Sequence, residues 1–91
     1  MNSKHFELYI KGNVQGVRYR KSCKEKADSL GINGLVKNMT DGSVYVEAEG
    51  DLEVLIHFLE WCKQGPPMAR VENMLTVEGP MKGYANFTIV P

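Results

Sequence analysis

Apolar and polar residues alternate strictly near the start of the chain. Phe6, Leu8 and Ile10 fall on one side, and His5, Glu7, Tyr9 and Lys11 on the other. A repeat of two marks a strand with one face on a core and the other toward water. His5 therefore reads as a surface residue, and Gly12 as the end of the strand. The period then changes. Tyr19, Cys23, Ala27 and Leu30 are spaced by four, four and three, one face of a helix from about Arg20 to Leu30 with Gly31 as its stop. Leu35 to Met39 reads as a second strand. Thr40-Asp41-Gly42-Ser43 is hairpin chemistry, because Asp-Gly supplies the positive φ angles of a tight turn. Val44, Val46 and Ala48 alternate with Tyr45, Glu47 and Glu49 in a third strand closing at Gly50. Asp51 is positioned to cap a second helix. Its apolar stripe is Leu52, Leu55, Ile56, Leu59 and Cys62, widened by Phe58 and Trp61 and stopped by Gly65-Pro66-Pro67. Ala69 to Glu78, loosely alternating, and Phe87 to Val90 are the remaining strand candidates.

The order is β-α-β-β-α-β with a short final strand. Right-handed crossovers place both helices on one face of an antiparallel sheet. That is an α+β, ferredoxin-like sandwich, expected as a single domain over residues 1–91. Such a fold hosts many activities and selects none.

Composition narrows the field. With 91 residues the chain can bury one core, with no room for separate cofactor and substrate domains. Its longest apolar run, Val54-Leu55-Ile56, ends at His57, far short of the ~18 residues of a membrane span. The first five residues lack the apolar core of a secretory signal. A cytoplasmic location and no membrane partner are expected. Formal charge is zero, yet residues 1–37 hold eight Lys/Arg against three acids, and residues 38–91 three against eight. A local positive field on a neutral chain suits a small anion better than a long polyanion; charge alone fits a solvated basic helix face equally well. Cys23 and Cys62 form no CxxC pair, so free, buried thiols are expected rather than a zinc or redox couple. No His/Cys/Asp/Glu group has metal-ligand spacing, so neither metal nor cofactor is expected.

The informative segment is Gly12-Asn13-Val14-Gln15-Gly16-Val17-Arg18-Tyr19-Arg20, between the first strand and the first helix. Two glycines let the backbone bend, successive N–H groups can aim at one point, and the helix adds its positive end. Arg20 can give a two-pronged contact to a phosphate or carboxylate. Val14 and Val17 hold the loop by packing. Taken singly, Arg20 is a surface charge at a helix start and Asn38 a polar residue near a hairpin. Arg18, Lys21, Lys24 and Lys37 read as solvated charges that raise the local anion concentration.

This stretch resembles the acylphosphatase signature G-x-V-Q-G-V-x-(F/Y)-R, with Gly12, Val14, Gln15, Gly16, Val17, Tyr19 and Arg20 at its fixed positions. A second group, Gly34, Val36, Lys37, Asn38, Gly42, Val44 and Gly50, resembles the same family, as do Gly65-Pro66, Ala69-Arg70-Val71 and Phe87-Thr88-Ile89. Leu35 stands where that family carries an aromatic residue. The resemblance implies hydrolysis of acyl phosphates to a carboxylate and inorganic phosphate without a metal. It implies Arg20 as the phosphate-binding arginine and Asn38 as the residue positioning water. The backbone N–H groups of Gly16, Val17, Arg18, Tyr19 and Arg20 would form the cradle. The partners it implies are a small acyl phosphate and, as competing anions, inorganic phosphate or sulfate, on a monomer.

Other classes fit less well. RNA-recognition modules share the element order but need a basic-Gly-aromatic pattern on their third strand; here it is Ser43-Val44-Tyr45-Val46-Glu47, so no nucleic-acid partner is expected. A metal carrier lacks its CxxC. A phosphate-holding regulatory domain has no use for Asn38. Acylphosphatase-like domains also open larger hydrogenase-maturation proteins; a chain running from Met1 to just past the last strand is expected to be the stand-alone enzyme.

Overall fold

The alternation at the start of the chain builds the longest strand, β1 (Ser3–Asn13), in a computed structural model that describes residues 2–91. β1 does not stop at Gly12. The glycine instead accommodates a register shift after Lys11, where a Cβ would overlap the Arg70 carbonyl oxygen at a φ of +136°. There follow α1 (Tyr19–Leu30), β2 (Asn33–Asn38), β3 (Val44–Asp51), α2 (Leu52–Gln64), β4 (Arg70–Gly79) and β5 (Phe87–Ile89). The strands form one sheet in the order β4-β1-β3-β2-β5. Its pairs are antiparallel except β2–β5, which is parallel. The ferredoxin-like α+β order expected from the sequence is the one present.

Register fixes what each face carries. Leu8 lies opposite Val46, Ile10 opposite Val44, and Val36 opposite Val46. These side chains are fully buried and share one core with Tyr19, Cys23 and Ala27 of α1 and Leu55, Phe58 and Cys62 of α2. Both helices therefore cover the same face. Burial of each large apolar side chain contributes about 1.5–3 kcal/mol. Cys23 and Cys62 are free and buried, and burial together with the contact to Cys62 pushes the Cys23 thiol well up.

Three sequence expectations need correction. The buried stripe of α2 is Leu55, Phe58 and Cys62, while Ile56 is 49% exposed. A helix apolar around much of its girth can dock along neighbouring stripes, and the sheet takes the one on which Phe58 meets Phe87 edge-on at 6.0 Å. Asp51 occupies the N-cap position, but its side chain caps nothing. The Leu52 N–H donates instead to the Asn2 carbonyl beside the start of β1.

The third concerns His5, which is fully buried rather than a surface residue. Residues 80–86 cross the outer face of the sheet as a strap. Glu49 accepts the backbone N–H groups of Lys82, Gly83 and Tyr84 at 2.6, 3.0 and 3.1 Å. The Tyr84 ring then stacks over His5 at 6.4 Å. Periodicity identifies which residues leave the core; it cannot tell that a later, aperiodic segment covers them. Among the described residues no helix is long and apolar enough to cross a membrane.

Candidate active site

The loop after β1 is shaped by two left-handed residues. Gly16 has φ +73°, and Arg18, the only non-glycine with positive φ among the described residues, has φ +64°. Left-handed turns of this kind bring successive N–H groups to one side. Holding an arginine there costs roughly 1–2 kcal/mol, the kind of strain that persists where surrounding contacts fix it. Arg18 is the N-cap of α1, with no side-chain cap and no acid in the first turn. The first N–H groups of α1 are thus left for an anion, at the positive end of the helix.

Side chains lock this loop in place. Val14 is buried in the core, and Val17 packs partly against it. Gln15 donates through one nitrogen to the carbonyls of Met39 and Ser43, both at 2.8 Å. The β2–β3 hairpin it grips is itself closed by Asp41, which accepts the Ser43 N–H at 2.9 Å and its hydroxyl at 2.6 Å. Those two bonds hold the Asp41 carboxyl below its usual range. Tyr19 buries its ring against Trp61 and donates its hydroxyl to the Cys62 carbonyl at 2.7 Å. Burial, reinforced by Cys62, drives that phenol far up, so it stays protonated.

Arg20 is half-buried and donates Nη1–H to the Val90 carbonyl at 3.0 Å. One contact pins the guanidinium while most of its five donors stay available. Four residues on, Lys24 donates to the Phe87 carbonyl at 2.8 Å, so it ties α1 to β5 as well as pairing with Asp28. It is not simply a solvated charge.

A cleft of about 220 Å³ opens between these elements, lined by Gly16, Arg18, Tyr19, Arg20 and Asn38 and walled by Val14 and Ile89. Of the sequence-derived site residues, only Val17 is not part of the lining. Asn38, at the exposed end of β2, arrives through pairing with Val44 across the hairpin that Gln15 holds. Among the described residues the lining carries Arg18, Arg20 and Lys21 but no carboxylate, imidazole or thiol. Such a cleft can bind an anion and orient a neutral nucleophile; it offers no general acid or base near neutrality. Sequence reasoning missed the double bond of Gln15 and the anchoring carbonyl of Val90. A polar side chain inside a glycine loop was a signal for the first. A backbone carbonyl leaves none for the second.

Residues 6–89 match the family described as Acylphosphatase. The acylphosphatase of Thermotoga petrophila is 44% identical over 86 residues, covering 94% of this chain and 96% of that one. The crystal structure of the Bacillus subtilis acylphosphatase is similar with a TM-score of 0.94 at 34% identity, over 97% of this chain and 99% of that one. An acylphosphatase structure from Coxiella burnetii gives the same TM-score and identity, over 98% and 94%.

Proposed function

Because the chain belongs to the acylphosphatase family and is an enzyme of acyl phosphate hydrolysis, we propose that Arg20 and the loop N–H groups bind the phosphoryl group while Asn38 positions the attacking water. The observation that supports this is the convergence of Gly16, Arg18, Arg20 and Asn38 on one cleft. Phosphoryl transfer asks for charge neutralisation on the phosphoryl oxygens and a nucleophile held in line. The Arg20 fork and the N–H groups of Gly16 to Arg20 supply the first. The Asn38 amide holds a water by hydrogen bonding and, being far too weak a base, does not take its proton.

The water oxygen forms a bond to phosphorus as the bond between phosphorus and the acyl oxygen breaks. The carboxylate leaves with the electron pair, and the water proton passes to a phosphoryl oxygen. A carboxylate leaves without protonation, so a site lacking an acid suffices, and the charge on Arg20 does the work a metal could do. We further place the reaction on a single domain acting as a monomer, with inorganic phosphate or sulfate competing for the cradle.

The test is to compare benzoyl phosphate with a phosphate monoester at equal concentration. Hydrolysis of the first with negligible turnover of the second is expected, since nothing in the cleft can protonate an alkoxide. Comparable rates on both would overturn this mechanism.

A further inference from the structure

We propose that His5, Glu7 and Glu47 form a binding site for one zinc ion on the outer face of the sheet, remote from the catalytic cleft. One donor atom of each residue lies within 4.8 Å of the other two. His5 Nε2 is 3.5 Å from Glu7 Oε2 and 3.6 Å from Glu47 Oε1. Ligand bonds of ~2.0–2.2 Å in a tetrahedral array set neighbouring donors roughly 3.3–3.6 Å apart. The two separations from the imidazole are those of zinc ligands, and too long for good hydrogen bonds.

The imidazole is oriented for the task. His5 Nδ1 lies 2.7 Å from Glu49 Oε2, and in the neutral ring that donates through Nδ1 the lone pair is on Nε2. That nitrogen is fully buried, has no hydrogen-bond partner among the described residues and lies between two carboxylates. The carboxylates add a second misfit. Glu7 and Glu47 are directly opposite on β1 and β3, a like-charge pair that destabilises a sheet unless a cation lies between them. The Glu47 carboxylate is held in place by the Tyr84 hydroxyl, which donates to Oε1 at 2.6 Å, and by the Tyr45 hydroxyl, which donates to Oε2 at 2.8 Å.

Space and access fit as well. Gly79 lies opposite His5 on β4, and even a Cβ there would reach 3.3 Å from the imidazole and 3.5 Å from Glu7 Oε2. Glu7 is 24% exposed, so an ion can enter from that side and keep a water as its fourth ligand. The Lys82 ammonium, 2.9 Å from Glu47 Oε1 and half exposed, is the competing cation; it must swing outward as zinc binds. The β1 backbone puts roughly 30 Å of strand between His5 and the loop at Val14, so the ion would clip β1 to β3 and take no part in turnover.

The experiment is calorimetric titration of chelator-stripped protein with zinc chloride, with the ring nitrogens of His5 followed by ¹⁵N NMR. One saturable site per chain is expected, with Nε2 shifting and Nδ1 nearly still. Zinc should raise Tm and leave kcat on acyl phosphate unchanged. Glu7→Gln, at a partly exposed position, should weaken binding about tenfold or more, Glu60→Gln, exposed on α2, should not, and Lys82→Gln should tighten it. No saturable binding, binding indifferent to Glu7→Gln, or a His5 ring that titrates as an imidazolium and ignores zinc would each overturn the site. Because the readouts are binding and Tm, that failure would leave the proposed hydrolysis untouched.

Discussion

Arg20 is anchored at one corner by the Val90 carbonyl and half-buried against the loop, so its position is set before any anion arrives. Removing the side chain removes charge and fork together. Arg20→Ala should abolish both turnover and competitive inhibition by inorganic phosphate, and Arg20→Lys should recover little, because an ammonium cannot reproduce the planar donor pair. Asn38 differs: it is exposed at the end of β2, and its side chain makes no hydrogen bond among the described residues. Asn38→Ala should lower kcat by roughly 10²-fold, the scale of one lost positioning or oxyanion-type contact, while phosphate inhibition persists. An unchanged kcat in Asn38→Ala, read by steady-state kinetics on benzoyl phosphate, would remove it from the mechanism.

At the level of elements, the main chain of the strap over residues 80–86 is held by the Glu49 carboxylate through three backbone N–H groups, while its Tyr84 and Lys82 side chains bind Glu47. Burial works to raise Glu49, yet the bonds from Lys82, His5, Tyr84 and Gly83 outweigh it and hold the carboxyl below its usual range. Below that range the unfolded chain binds the proton more readily than the folded one. The stabilisation is therefore full above the unfolded value of about 4.3 and is lost as pH falls through the lower folded value. Glu49→Gln should cost about 1.5–3 kcal/mol near neutrality and flatten the acid limb of stability, measured by urea unfolding between pH 7 and pH 3. None of this strap was legible in the sequence, because Pro80 to Asn86 has neither period nor stripe and its partner lies more than thirty residues upstream. The same blindness placed His5 on the surface. What could be read was local: the alternation of Phe6, Leu8 and Ile10, the Asp41-Gly42 turn, and Gly31 closing α1 in left-handed geometry. Arg20 and Asn38 can be singled out in the sequence because each sits in a motif; Gln15, which joins their two elements, shows its contacts only once the hairpin is folded beneath it.

Over the whole molecule, the histidines and the cleft are kept apart. Neither histidine lines the cleft: His5 is enclosed at the far part of β1, and His57 is exposed on α2. Arginine, amide and backbone N–H groups do not titrate in the working range. We expect kcat to stay nearly flat from about pH 5 to 8, with any bend in kcat/KM at the acid end following the substrate's own ionisation. A kcat inflection near ~6.5 that vanishes in His5→Ala or His57→Ala would reveal a general base. The bond from Arg20 to the Val90 carbonyl also has a consequence in time. It joins positions 70 residues apart, and the short β5 beside it pairs with β2 from the last part of the matching segment. A nascent chain that has released its first strands and both helices from the ribosome therefore still lacks the group that sets its arginine. Until residue 90 clears the exit tunnel, the growing polypeptide has the loop but not the carbonyl that anchors Arg20.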